Sequence, residues 1–410
     1  MKVNSHVFLC GYFSVSEGNT LPVDWVSVPV GEKLVSEMKN YYSPGFVSFY
    51  ANDVSVFRKE VGQPVSIPFK DGGPECPFLV DSLYLYRMPR ELFLCSVKLV
   101  FTDVDLNAQS RVLGALRNCC SYDRELLEPF ITCAISPLDR AYSSLTGGQG
   151  LVPGGNYAHL VENGNKFKLF QLIQSEGIPD DPQERDRLLF SAGSLAPYSP
   201  GMLGAVDPRY FSRIMDASRI AVFSSWTALV LLDTFTALSK PLPPYVEGIW
   251  LNDYFGMLYL YELYRKSILY HFNSLFREGE TDPSLLKKRF GEFERKYTFT
   301  SISYNFLPTE IDRCIVKGLE MDKEDDRLAH FLSQEVSARE EESDRRREHF
   351  LLFLTLLAGF SALWDMVSLL DKLVGFDSVF VSDFTGYRVA TSILLLVIAC
   401  VAYRIVRKKR

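Results

Sequence analysis

No two cysteines in this chain form a CxxC pair, and none of its five histidines stands at metal-ligand spacing from a cysteine. That excludes the usual structural zinc frameworks, which need four close nitrogen or sulfur ligands. The eight cysteines are scattered, and those inside apolar runs such as ELFLCSVKLVF read as buried free thiols, as expected in a reducing compartment. No glycine-rich stretch ends in Gly-Lys-Ser/Thr, so SSLTGGQGLVPGGNY (143–157) reads as a flexible surface loop, not a phosphate cradle. No dinucleotide fingerprint follows a clear strand. Acids and serines are plentiful but show no catalytic arrangement, so an enzyme is not expected. A surplus of cations is missing too. The net charge of −6 excludes a general nucleic-acid binder, which needs a basic face. The opening MKVNSHVFLCGYFSVSEG has one lysine and a short, interrupted apolar patch, so no signal peptide is expected. Finally, no proline follows Pro308, which leaves the last quarter free to be helical.

With 47% hydrophobic and 23% charged residues, 410 residues can bury a real core over two or three domains. HVFLCGYFSV, GFVSFYANDVSVF and ELFLCSVKLVFTDVDL read as strands, and AQSRVLGALRNC as an amphipathic helix. These define an α/β cytoplasmic domain over 1–205, closed by a Pro- and Gly-rich linker, SLAPYSPGMLGAVDP (194–208). A helical cytoplasmic region follows over 206–306. Within it RIAVFSSWTALVLLDTFTALSK (219–240) has thirteen uncharged residues, Ile220 to Leu232, a length that suits a buried core helix better than a membrane span. The aromatic stretch from Trp250 to Glu278 reads as a helix buried among helices, forming a hairpin with PSLLKKRFGEFERKY.

Residues 307–349 read as a stalk helix. Pro308 suits a first turn, with Glu310 and Asp312 at the positive end of the dipole. Ile311, Ile315 and Leu319, then Leu328, Leu332 and Val336, recur at i+4 as a narrow apolar stripe. Glu341 with Arg345, and Glu342 with Arg346, pair in the favourable acid-first order at about 0.2–0.5 kcal/mol each. Run unbroken from Pro308 to Leu370, the helix has 63 residues and measures roughly 94 Å. Gly318 is the most evident interruption, and a break into two helices near Met321 to Asp326 is the alternative. His330 and His349 belong to this charged segment and face solvent or a neighbouring subunit.

Residues 350–410 read as a membrane domain with spans at 350–370 and 389–406. The first holds twelve Leu, Val or Phe residues. Their summed insertion free energy of about −4 to −7 kcal/mol outweighs even the roughly +3 kcal/mol of a central aspartate, and Asp365 lies toward the outer end, where the cost is smaller. Arg345, Arg346 and Arg347 precede the first span, and Arg407, Lys408, Lys409 and Arg410 follow the second. The loop between them carries Asp371, Lys372, Asp377, Asp383 and Arg388, a net −1. The positive-inside rule therefore predicts a multi-pass protein of the cell (inner) membrane with both termini cytoplasmic.

A cytoplasmic domain, a long stalk entering the first span, a short outer loop, a second span and a basic tail together resemble the CorA-type divalent metal ion transporters. The resemblance rests on architecture over roughly 308–410, and the family's Gly-Met-Asn motif is absent. It implies a homopentamer in the lipid bilayer that passes Mg²⁺ or another divalent cation, with no tightly bound cofactor. Asp365 is the candidate metal residue in place of the motif, as a ring of hard oxygen ligands. Thr355, Ala358, Gly359, Ala362, Asp365 and Met366 share one helical face and are the candidate pore lining. Such a face also serves as a close-packing surface between helices. Asp322, Glu324, Asp325 and Asp326 are candidate metal-sensing residues, or a solvated face. The alternative to transport is a membrane-anchored oligomeric binding or effector protein.

Overall fold

The computed structural model describes the chain apart from residues 16–19, 30–31, 70–75, 91, 120–123, 148–156, 162–165, 202–203, 205, 279–281 and 375–410, and the side chains of 32–34, 124, 363–365 and 367–374. Two units are distinguished, Met1–His330 and Phe331–Arg410.

The first unit is organised on one sheet. Its strands are β1 (Lys2–Ser14), β2 (Val26–Val28), β3 (Ser55–Val65), β4 (Phe78–Met88), β5 (Leu92–Asp105), β6 (Lys168–Gln174), β7 (Arg219–Ile220), β8 (Trp226–Val230) and β9 (Thr234–Ser239). They lie in the order β2-β3-β4-β5-β1-β6-β9-β8-β7. The β6–β9 pair is parallel and the others are antiparallel. Helices α1 (Glu32–Met38), α2 (Pro44–Asn52), α3 (Leu106–Arg117), α4 (Arg124–Phe130), α5 (Ser136–Leu145), α6 (Pro182–Ser194) and α7 (Pro208–Ser218) precede the last strands. Then come α8 (Pro244–Gly248), α9 (Leu260–Glu278), α10 (Pro283–Tyr297) and α11 (Phe306–Gly318). The final helix, α12 (Met321–Val374), begins in the first unit and continues through the second. Two wider π-helical turns, Ile131–Ile135 and Ile249–Tyr259, lead into α5 and α9.

Alternation along β1 sets the layers. Val3, Val7, Leu9 and Phe13 point to the face covered by α3, α5 and α6, where they join Val112, Leu116, Leu138 and Leu188 in the main core. On the opposite face Phe8 stacks on Phe255 with ring centroids 3.7 Å apart, and Phe170 meets Tyr259 at 5.8 Å. Helices therefore cover both sides, which is why the central strands read as near-continuous apolar runs. Asp105 starts α3 by accepting hydrogen bonds from the amides of Asn107 and Ala108, at 2.9 and 3.2 Å, and also receives the terminal amine of Met1 at 3.0 Å.

At Gly318, close approach requires the missing side chain. A Cβ there would lie 2.7 Å from the carbonyl oxygen of Val230 and 2.5 Å from one of its methyl carbons. Glycine thus lets α11 lie directly on β8. Gly318→Ala is expected to cost about 1–3 kcal/mol through overpacking, read as a lower urea midpoint. An unchanged midpoint would show that α11 can lift away freely.

Several expectations are corrected. Residues 219–240 form β7, β8 and β9 in the main sheet, not a core helix. Leu231 and Thr234 exchange backbone hydrogen bonds of 2.7 and 3.3 Å in the β8–β9 turn. A strand buried on both faces shows no period-2 alternation, so its apolar run resembles a buried helix. The front of GFVSFYANDVSVF is helical as α2, and only its end enters β3. The unbroken stalk is interrupted at Leu319–Glu320, where Glu320 takes a φ of 55°. That left-handed residue redirects the chain before α12 starts at Met321.

The membrane domain is corrected as well. Among the described residues no helix is long and apolar enough to cross a membrane. The continuous run of described uncharged residues on α12, Phe350 to Ala362, spans thirteen residues, or roughly 20 Å. A bilayer core of about 30 Å needs roughly twenty. The 350–370 estimate reached its length only by including residues whose side chains lie outside the described set. The second expected span, 389–406, lies outside the described residues entirely. The two-span fold class, the transmembrane assignment and the multi-pass inner-membrane localisation are therefore withdrawn.

Candidate functional site

The most unusual chemistry of the first unit lies where α9, α11 and the start of α12 meet. The polypeptide places Glu262, Arg265 and Lys266 in the middle of an aromatic helix, so folding carries them inward with their neighbours. The Glu262 side chain is fully buried, and Arg265 donates to both of its oxygens at 3.2 and 3.0 Å. Asp312 of α11 brings a second carboxyl group close to Glu262. Burial raises the pKa of Glu262, partly offset by the Arg265 guanidinium. Burial and then the charge of Glu262 hold Asp312 well above the usual carboxylate range. Both carboxyls are thus shifted toward the protonated form, and the Arg265 guanidinium opposes that shift. Asp312 Oδ1 and Arg265 Nε are buried without a hydrogen-bond partner among the described residues.

One turn along α9, Lys266 is also buried. It donates to the carbonyl oxygen of Leu319 at 2.6 Å and pairs with Glu324 at 2.7 Å. A cation on the last carbonyls of α11 satisfies the negative end of that helix. The same ammonium ties the first turn of α12 to α9. Burial, outweighing Glu324, lowers the Lys266 pKa. The centre is a buried ionic cluster joining three helices.

The expected metal-sensing residues fall at its edge. Asp322 and Asp326 are exposed, Glu324 is taken by Lys266, and Asp325 is half-buried with its pKa raised by burial to about 6. Among the described residues no group of three or more His, Cys, Asp or Glu side chains could hold a metal ion. Of the expected pore lining, Thr355, Ala358, Gly359, Ala362 and Met366 are exposed on α12, while the side chain of Asp365 lies outside the described residues. A Cβ on Gly359 would meet nothing within 4 Å, and the Thr355 hydroxyl donates to the Leu351 carbonyl at 2.8 Å. Sequence reasoning missed Glu262 and Arg265 by treating α9 as an aromatic helix alone. It also assigned Asp312 to the helix dipole. The available signal was a Glu-x-x-Arg-Lys cluster flanked on both sides by apolar residues.

Comparison of the chain with protein-family models, curated proteins and solved structures finds no match. The CorA-type resemblance thus has no support beyond the architecture on which it rested.

Near the same aromatic layer, Asp253 has its pKa raised to about 6 by burial and by the charge of Glu37. A carboxyl raised above its unfolded value near 3.9 favours the folded state most below that value. The contribution is lost as pH rises through about 6. Asp253→Asn is accordingly expected to flatten the fall in melting temperature between pH 4.5 and 7.5, and to melt above the native chain at pH 7.5. A variant that keeps the native pH slope would show that Asp253 does not control it.

Proposed function

We propose that the chain is a non-catalytic binding protein that works as a homo-oligomer joined through α12. The observation that carries this reading is the exposure of large apolar side chains around that helix. Phe350, Leu351, Leu352 and Leu356 are 59–62% exposed, and Phe353, Leu354 and Leu357 are exposed beside them. A helix apolar on all sides needs to be enclosed, and contiguous patches of this kind mark association surfaces. The preceding charges support a second copy as the occupant. Arg339 pairs with Glu335, Arg345 with Glu341, Arg346 with Glu342 and Arg347 with Asp344 within the helix. These pairs leave little net charge to push two copies apart. The small side chains at Thr355, Ala358, Gly359 and Ala362 allow a second helix to approach closely. Ion conduction is not proposed, because it depends on the two spans withdrawn above.

Sedimentation velocity of the full chain over a concentration series tests the reading, with concentration-dependent oligomers expected. A monomer at every concentration overturns it. Flotation with liposomes in place of self-association also overturns it, and would assign the apolar stretch to lipid.

A further inference from the structure

We infer that the cleft between α7 and α11 is a binding site for the phosphate group of a small phosphorylated molecule. The cleft belongs to the first unit, has a volume of about 720 Å³ and is open to solvent. It is shallow, so a ligand there would be held by charge more than by enclosure.

Its lining follows from helical spacing. Arg209, Ser212, Arg213 and Asp216 stand at i, i+3, i+4 and i+7, so α7 presents all four along one face. The opposite face of α7 carries the buried Met215 and the half-buried Phe211 and Ile214 that seat it on the core. Lys317, in the last turn of α11, closes the cleft from across. Three cations and one acid give the lining a net +2, the complement of a phosphomonoester dianion.

Among the described residues Arg209, Arg213 and Lys317 make no ion pair, and neither does Asp216, although it shares their face. The Arg187 and Arg219 guanidiniums nearby are each held by an acid, Glu184 and Asp186. Asp216 offsets only one of the three charges, so the grouped cations still repel one another. An anion that joins them relieves that repulsion.

The chemistry favours phosphate over carboxylate. An arginine fork matches two phosphate oxygens, a lysine adds a point charge, and the Ser212 hydroxyl supplies a neutral donor. The Arg213 guanidinium carbon lies 5.2 Å from the centroid of the Tyr210 ring. The Tyr210 ring is itself 46% exposed and stands beside the cleft. It offers a flat surface for the organic part of the ligand. Asp216 sets a limit, since its carboxylate repels a polyanion that runs the length of the helix. A small phosphorylated molecule therefore fits better than a nucleic-acid backbone.

Isothermal titration of the full chain with inorganic pyrophosphate, inorganic phosphate and sulfate tests this. Saturable binding is expected, tighter for pyrophosphate than for sulfate. It should weaken at least tenfold in the double variant Arg213→Gln with Lys317→Gln. Both substitutions lie on the surface, and an unchanged melting temperature of the ligand-free variant confirms folding. If the melt shifts, Arg209→Gln alone carries the same comparison. The proposal is overturned by the absence of saturable heat with either phosphate probe, or by equal affinity in a folded variant. Binding of a single-stranded oligonucleotide that tightens with its length and is lost in the same variant also overturns it, in favour of a nucleic-acid surface.

Discussion

Arg265→Met is expected to remove about 3–5 kcal/mol of folding stability, the range found when one partner of a buried ion pair is deleted. The reason is the company that Arg265 keeps. It is the cation bonded to Glu262, and Asp312 adds a second carboxyl within the same buried space. Without the guanidinium, both groups must take up protons or remain charged in a poor dielectric. The loss should therefore grow with pH. Carboxyls whose folded pKa is raised keep their full contribution below about 4.3 and lose it as pH rises through the folded value. Urea unfolding at pH 5 and pH 8 reads this directly, with the larger deficit at pH 8. Adding Glu262→Gln to the Arg265→Met background should restore part of the loss at pH 8. A deficit independent of pH, and untouched by the second substitution, would mean that Arg265 matters only for the volume it fills.

The second large effect concerns assembly. Leu352 and Leu356 stand one turn apart on α12 and are 59% and 60% exposed. Burying a leucine against a partner contributes about 1.5–3 kcal/mol, and a glutamate in its place adds the cost of desolvating a charge. Leu352→Glu with Leu356→Glu is therefore expected to weaken self-association at least about 100-fold, since 1.4 kcal/mol corresponds to a factor of ten. The melting of the nine-stranded sheet should not change. Ser343→Glu, in the charged part of the same helix, should leave the oligomer nearly intact. Equal effects from the two changes would indicate general charge repulsion and not a contact surface. No effect from the leucine pair would place the association elsewhere.

Sequence patterns revealed some parts of this molecule and concealed others for identifiable reasons. β1 and β5 were legible because their residues combine high strand propensity with turn signals at both ends. α3 and α10 were legible because their apolar residues recur at helical spacing and Asp105 and Asp282 cap them. β8 and β9 were not, because both faces are covered and the alternation that distinguishes a strand disappears. α2 was misread because Phe46, Val47, Phe49 and Tyr50 favour strands in isolation, while all four are buried as one helical face. In this case tertiary packing overrides propensity. The break follows Gly318, the last residue of α11 and the interruption visible in the sequence, while the left-handed turn at Glu320 itself carries no glycine to mark it.

The ionic centre was legible in its parts and not in its assembly. Each charge is visible as a letter, but Glu262 and Asp312 are fifty residues apart, and their meeting depends on how α11 lies against α9. The apolar stretch of α12 was the most legible feature of all. Hydropathy alone records that the side chains avoid water, without specifying what covers them. The α7 cleft gave almost no signal, since three cations spread over about a hundred residues resemble any other surface charges.

The nine-stranded sheet ends in β2 on one side and β7 on the other, strands of three and two residues. Such stubs offer too few free amides and carbonyls to recruit a strand from another molecule. Neither stub by itself offers a long ladder to another molecule. Any higher-order architecture is left to helices, whose side-chain fit can limit the number of subunits as an open ladder of strands cannot.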